Sequence, residues 1–338
     1  MTSPTTCSLP EAARIAATLL GHPVENALPV VGGGNNRLLR IQCGGKGIYA
    51  LKFYPPQKQD PRDRLGQEFA FLGFLNRQGV TGIPTALAAD PINHCALYTW
   101  IEGITLPVPD VAGIEAMIAF LEQLHYWRQA PAARHLVPAS DNCFSPRAAM
   151  GQLARRLARC RDVAATEPTL QAFLDQEFTP VSRRFLLQLR DAPGFSQTLP
   201  ETARTLSPSD FGLHNALRQP DGTTTFLDFE YAGWDDPVKL VADVFWHPGM
   251  DLPESLRERF LDGTQTFYDT SGSWGFAQRF TRLLPVFGLI WTLILLNEFL
   301  PERWQRRVLA GRTGSREEVL SRQLTRARQH LTRVAMLS

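Results

Sequence analysis

Three side chains in the stretch SPSDFGLHNALRQPDGTTTFLDFEY, residues 207–231, have types and spacing that allow them to converge on one point: Asp210, Asn215 and Asp228. Asp210 and Asn215 precede a short expected strand, Ala216–Arg218. Pro220-Asp221-Gly222 then reads as a turn, because proline fixes φ at the first corner and glycine tolerates positive φ. The return strand, 224–229, is expected to bring Asp228 beside Asn215. An acid, an amide and a second acid gathered in this way suit phosphoryl transfer, in which one carboxylate accepts the proton of an attacking hydroxyl and the other two groups hold magnesium on a nucleotide. Asp and Asn also cluster in turns because they cap backbone groups, and Asp221 is that kind of residue. Asp228 differs. It lies among Phe226, Leu227 and Phe229, where a carboxylate requires a cation or hydrogen-bond donors.

The elements that must position these groups follow from pattern. Residues 29–31 and 38–42 read as strands around Gly32, Gly33, Gly34, Asn35 and Asn36, and residues 47–54 as a third strand. Glycines at such a turn let backbone amides approach phosphate, although a glycine-rich turn is also simply a turn. Lys52 lies in the apolar run IYALKFY and is one of only four lysines in a chain that otherwise uses arginine. A helix is expected from Asp60 as N-cap, through Pro61 and Asp63 in its first turn, to about Gly79, with Leu65, Phe69, Leu72 and Leu75 as its apolar stripe. Glu68 falls on or beside that stripe and is expected to pair with Lys52; the bland alternatives are an edge lysine and a boundary glutamate, each reaching water. A strand over 96–101 precedes Gly103, and long helical patterns follow. The fold class is therefore α+β, with a small antiparallel β lobe carrying one helix, residues 1–101, and a larger mainly helical lobe, 102–338.

At 338 residues two lobes are the natural division, and 44% hydrophobic with 20% charged residues is the balance of a folded globular chain. A net charge of +2 is nearly neutral and unlike that of a nucleic-acid binder, so no nucleic-acid partner is expected, with the Arg-rich tail 303–333 as the one stretch that could take that role. Cys7, Cys43, Cys95, Cys143 and Cys160 show neither CxxC pairing nor metal-ligand spacing, which fits a reducing, cytoplasmic setting. The N-terminal segment lacks the positive region of a signal peptide. The strongest apolar run, 286–296, is short for a bilayer and reads as a core helix, so no membrane span is expected. His125 reads as a core histidine, and His214 as a brace within the loop 207–215 or as a contact to substrate.

With the glycine-rich turn, Lys52, Glu68, Asp210, Asn215 and Asp228 in this order, the chain resembles the aminoglycoside phosphotransferase and choline kinase superfamily over roughly residues 28–300. The resemblance implies a protein-kinase-like bilobal fold and an ATP- and magnesium-dependent kinase. It implies Asp210 as catalytic base, Asn215 and Asp228 as metal ligands, and Lys52 with Glu68 as the phosphate-holding pair. Gly32, Gly33, Gly34, Asn35 and Asn36 would contact the nucleotide, and backbone groups of Thr99 and Ile101 would meet adenine. The sequence DFEY at 228–231 looks more like the choline kinase side. Pro208 stands where the family usually has His, with Ser207 or Ser209 as possible replacements for its brace. Leu240 stands where it usually has Asp, with Asp243 nearby. The expected acceptor is a hydroxyl of a small metabolite, a sugar or an amino alcohol; the alternatives are an aminoglycoside antibiotic as substrate and an inactive nucleotide-binding scaffold. Tyr231, Trp234, Trp246 and Trp291 could give an aromatic face to the acceptor, and Glu230, Asp235 and Asp236 could attract a cation; core and capping roles compete with these.

Overall fold

The computed structural model of the chain describes residues 7–30, 36–56, 60, 62–192, 194–270, 275–309 and 314–337. Packing divides the chain into two compact units, Met1–Ser140 with Pro208–Gly233, and Asp141–Ser207 with Trp234–Ser338.

In the first unit, α1 (Leu9–Leu20) precedes a five-stranded antiparallel sheet. Its strands are β1 (Asn26–Pro29), β2 (Arg37–Cys43), β3 (Gly47–Phe53), β4 (Ala86–Asp90) and β5 (Cys95–Thr99), in the spatial order β1-β2-β3-β5-β4. Strand alternation sorts the faces. Leu39, Ile41, Leu51 and Leu97 bury one face against Ala12, Ile15 and Ala16 of α1. Lys52, one residue on from Leu51, therefore points to the other face, where α2 (Arg64–Arg77) lies with Phe69 near Tyr98. The helix begins later than its sequence suggests. Asp63 is its N-cap, accepting the Gly66 N–H at 3.0 Å, because the carboxylate of Asp60 is occupied by the side chains of Arg62 and Arg64. The apolar stripe is also wider than expected: Phe71 and Phe74 are buried with Leu65, Leu72 and Leu75, whereas Phe69 is only half-buried. Strand β4 has no counterpart in the sequence reading; its residues, ALAAD, lack the β-branched and aromatic types that mark strands.

The same unit continues through β6 (Ile104–Thr105) and α3 (Val111–Trp127). After a short strand of the second unit, β7 (Thr205–Ser207), it resumes with β8 (Ala216–Arg218) and β9 (Thr224–Phe226). Because β6 pairs with β8, and Phe120 of α3 stacks on Phe211 at 5.8 Å, residues 102–140 pack with the sheet-bearing unit. The compact units consequently do not divide at the expected lobe boundary near residue 101.

The second unit holds α4 (Pro146–Ala164), α5 (Pro168–Ala172), α6 (Thr179–Asp191), β10 (Gly233–Asp235) paired with β7, α7 (Pro237–Trp246), α8 (Glu254–Thr270), α9 (Phe276–Ile294), α10 (Pro301–Leu309) and α11 (Arg316–Ala335). Helix α9 and the turn after it are long and apolar enough to cross a membrane by length and composition, but two thirds of the apolar window, 67%, is buried inside the fold. Leu283, Val286, Phe287, Ile290 and Leu293 form its buried face.

Several polar candidates of this unit are structural. Asp236 caps α7 by accepting the Val238 N–H and pairs with Arg279. Asp235 accepts the N–H groups of Cys143 and Asp236 and, like Asp243, faces the buried Lys239. Trp246 donates to the Leu284 carbonyl and Trp291 to Asp243. Asp235 and Asp236 are buried and so are not placed to attract a cation from water, which corrects the reading of them as candidates for that role.

Burial lowers the pKa of His125 on α3 and of His330 on α11 to about 4. A histidine depressed in the folded state contributes stability that is intact above its unfolded value, about 6.5, and is lost as pH falls toward 4, by at most ~3 kcal/mol each. Urea denaturation at stepped pH should show this loss. In His330→Gln, which can still hydrogen-bond Thr292, the stability lost between pH 6.5 and 4 should be smaller than in the unaltered protein; an unaltered slope would remove His330 as a cause.

Candidate active site

The centre of the first unit's polar face is one ammonium held by two acids. Lys52 Nζ lies 2.6 Å from Glu68 Oε2 and 2.6 Å from Asp228 Oδ1. Glu68 is further fixed: Tyr54 donates to Oε2 at 2.7 Å, and the Phe229 N–H donates to Oε1 at 3.2 Å. The side chain of Glu68 is 4% exposed and that of Asp228 37%, so only Asp228 presents oxygen to a ligand. Burial alone would lower the Lys52 pKa; Glu68 and Asp228 more than reverse it, and the amine stays charged. Burial raises Glu68 against the pull of Lys52, with the neighbouring Asp228 charge adding to the rise.

Asp210 and Asp228 are each followed by a phenylalanine, and this repetition explains how the chain delivers them. Phe211, Phe226 and Phe229 are buried around Phe120, with ring centroids 5.8, 4.9 and 6.0 Å from it. Phe71 of α2 stacks on Phe229 at 5.8 Å. The aromatic cluster pins both loops, so the acids beside the anchors emerge at its polar edge. The hairpin joins them as expected: Gly222 closes the turn at φ 87°, its N–H donating to the Gln219 carbonyl at 2.9 Å. The return strand ends at Phe226, earlier than the expected residue 229: the Leu227 N–H still donates to the Asn215 carbonyl at 2.8 Å in the register of the hairpin, and the extended conformation is broken at the next residue, Asp228. Asp228 then adopts φ 65° and Ser209 φ 70°, left-handed conformations that cost a side-chain-bearing residue about 1–2 kcal/mol and concentrate at functional sites.

Within the loop, Asn215 Nδ2 donates to the Asp210 carbonyl at 2.9 Å, and His214 Nε2 lies 3.1 Å from Asp210 Oδ1. The position of Pro208 therefore does not leave Asp210 unsupported; a histidine four residues later in the chain braces its carboxylate. Thr99 ends β5 with its N–H donating to the Thr85 carbonyl, and Ile101 follows outside any helix or strand. Gly32, Gly33, Gly34 and Asn35 lie outside the described residues.

Arg64 and Tyr54 were not singled out by sequence, and Glu230 and Tyr231 were singled out for another role. Arg64, 1% exposed, binds Glu230 Oε1 at 3.0 Å as well as Asp60, and Asn36 Nδ2 donates to Glu230 Oε2 at 2.6 Å. Glu230, also 1% exposed, is thus an internal anchor and not a lure for a cation, which corrects that expectation. Tyr231 lies under the guanidinium groups of Arg62 and Arg64, at 4.8 and 5.0 Å, and Tyr54 bonds Tyr98 at 2.7 Å. The only sequence signal for Arg64 is its place one helical turn before Glu68 on the same face.

The donor set fits a small hard cation. Asp228 offers a carboxylate, and Asn215, with its amide nitrogen committed to Asp210, offers its side-chain oxygen; such oxygen pairs with open positions are what magnesium takes from protein. Glu68 and Glu230 have carboxylate oxygens within 4.8 Å of Asp228, but both are sealed by the bonds described above.

An ammonium clamped between a helix acid and an exposed acid, beside a loop holding a further acid and an amide, is a set of groups suited to phosphoryl transfer, and it stands on an α+β, protein-kinase-like fold. Residues 26–280 match the Phosphotransferase enzyme family, and the chain belongs to that family. It is accordingly a phosphotransferase acting on an alcohol group. Its fold is similar to that of choline kinase LicA from Streptococcus pneumoniae, at 16% identity and TM-score 0.57, covering 95% of this chain and 97% of that one. It is also similar to macrolide 2'-phosphotransferase MphH from Brachybacterium faecium, at 18% identity and TM-score 0.56, covering 89% and 98%. No curated protein matches it in sequence.

Replacing Lys52 by Met should leave Glu68 and Asp228 uncompensated and lower stability at pH 7 by about 3 kcal/mol, the low end for breaking a buried pair because Asp228 is partly exposed. Urea titrations should show the deficit narrowing as pH falls below 7, as Glu68, its pKa raised by burial, takes up a proton. Equal stability of the two proteins at pH 7 would contradict the clamp.

Proposed function

We propose that the protein transfers the γ-phosphoryl group of ATP to a hydroxyl of a small metabolite, a sugar or an amino alcohol. The observation that carries this reading is Lys52 held at 2.6 Å by both Glu68 and Asp228, next to a loop in which Asp210 is supported by His214. Lys52 would bind the α- and β-phosphates. Asp228 and Asn215 would hold magnesium, which supplies charge neutralisation on the phosphates. The acceptor hydroxyl oxygen bonds to the γ-phosphorus as the bond to the bridging oxygen breaks, ADP leaves, and the hydroxyl proton passes to Asp210. His214 keeps that carboxylate oriented. The solved LicA structure with AMP, similar at TM-score 0.58, supports a nucleotide in this fold.

The scaffold alternative rested on Pro208, and the Asp210–His214 contact favours activity instead. For the acceptor, burial of Glu230, Asp235 and Asp236 in ion pairs takes away the acidic attraction that a polycationic antibiotic would use, which favours a less charged acceptor.

Magnesium-dependent ADP release should appear with at least one member of a panel of sugars, amino alcohols and aminoglycosides. In Asp210→Asn, kcat should fall about 10²–10⁴-fold while nucleotide affinity stays near that of the unaltered protein. Nucleotide binding without acceptor-stimulated turnover across the panel would favour the scaffold, and undiminished kcat in the variant would remove Asp210 as base.

A further inference from the structure

The carboxylate of Glu68 accepts the Lys52 ammonium and the Tyr54 hydroxyl on Oε2, at 2.6 and 2.7 Å, and the Phe229 N–H on Oε1 at 3.2 Å. Behind Tyr54 stands a second buried phenol. Tyr54, which follows β3, and Tyr98 of β5 are 5% and 4% exposed, and their hydroxyls lie 2.7 Å apart. A phenol has one proton to give. Because the Tyr54 proton goes to Glu68, the bond between the tyrosines is donated by Tyr98, and the two hydroxyls act in series, Tyr98 to Tyr54 and Tyr54 to Glu68. Strand register places the chain of bonds on the face of Lys52: Lys52 pairs with Ala96 and Ala50 with Tyr98, so Lys52 and Tyr98 project from the same side of the sheet. The Tyr54 ring also lies under the Lys52 ammonium, 5.1 Å from it, so one side chain touches both members of the Lys52–Glu68 pair. A phenylalanine at either position would fill nearly the same volume without a hydroxyl to satisfy. Two hydroxyls buried in a row and ending on a carboxylate point to a task other than packing.

We propose that Tyr54 and Tyr98 are positioning residues for phosphate binding, which they govern through Glu68 and Lys52 without touching the nucleotide. The inference rests on the phosphoryl-transfer reading above and adds to it the residues that set the strength of the Lys52 contact. Lys52 has two acidic partners, and they are not equivalent. Asp228, 37% exposed, is open to a ligand, whereas Glu68, 4% exposed, is the partner that a ligand does not reach. The direction of the ammonium therefore depends on where the Glu68 carboxylate is fixed. Without the Tyr54 hydroxyl, Oε2 loses its second donor in a buried site and the carboxylate is anchored by the Phe229 N–H alone. The cost of ordering the Lys52–Glu68 pair then falls on nucleotide binding. Tyr98 acts one step further back, by keeping the Tyr54 hydroxyl turned toward Glu68.

Calorimetry on the full chain in EDTA, with a non-hydrolysable ATP analogue and separately with adenosine, tests this in Tyr54→Phe, Tyr98→Phe and the double variant. Adenosine lacks the phosphates that Lys52 would bind, so it reports on the nucleoside contacts and on folding alone. Tyr54→Phe should lose about tenfold in analogue affinity, near the low end for a hydrogen bond to a charged group, and Tyr98→Phe about threefold, as for a neutral bond. Adenosine affinity should stay at the unaltered value in both. The double variant should lose no more than Tyr54→Phe, because Tyr98 acts through the Tyr54 hydroxyl. Undiminished analogue affinity in Tyr54→Phe, equal losses for adenosine and the analogue, or additive losses in the double variant would each overturn the proposal. Should Tyr54→Phe fail to fold, Tyr98→Phe decides alone: it keeps the Tyr54 hydroxyl, and an unchanged ratio of analogue to adenosine affinity would overturn the proposal. An unaltered chain that binds no analogue would instead count against the phosphoryl-transfer reading itself, and this assignment would fall with it.

Discussion

The arrangement depends on one charge held between two others. The Lys52 ammonium is removed from water by the sheet and by α2, and only the two carboxylates 2.6 Å away make that position tolerable. Each partner comes from a different element, β3, α2 and the segment after β9, so one ion cluster registers three pieces of chain. The asymmetry of exposure gives the cluster its use. Glu68 is sealed and serves to hold, whereas Asp228 stays open on one side and can serve a ligand.

Packing does for the loops what charge does for the clamp. Phe211 and Phe229 sit immediately after the two catalytic candidates and bury into one aromatic cluster with Phe120 and Phe226. An acid cannot be buried cheaply, but its neighbour can. Anchoring the neighbour fixes the acid at the cluster's edge and leaves its carboxylate for chemistry. The left-handed backbone at Ser209 and Asp228 is the local strain of forcing those directions, offset by the aromatic burial beside it.

Arg64 and Glu230 extend the same logic one helical turn along α2. The helix reaches the returning segment through two acids two residues apart, one by way of Lys52 and one by way of Arg64. A helix tethered at two points cannot rotate about its axis without breaking one of them. Asp63 as N-cap and Asp60 as arginine acceptor divide between two residues the tasks that the sequence seemed to assign differently.

The sequence alone determined what depends on local order: the hairpin between Arg218 and Thr224 from its Pro-Asp-Gly turn, the strand face of Lys52 from period-two alternation, the pairing of Glu68 from its place on a helical stripe, and the phosphotransferase class from the order of these residues. Tertiary structure decided what depends on which distant groups meet. Glu230 and Asp236 look alike in sequence as acids near a turn, yet each is paired with an arginine far away in the chain, Arg64 for Glu230 and Arg279 for Asp236, whereas Asp235 faces Lys239 only four residues on. Strand β4 was invisible because its alanines acquire strand character only from pairing with β5. His214 could be read as a brace, but not as the brace of Asp210, since a contact four residues apart in an irregular loop follows from backbone directions that no periodicity encodes.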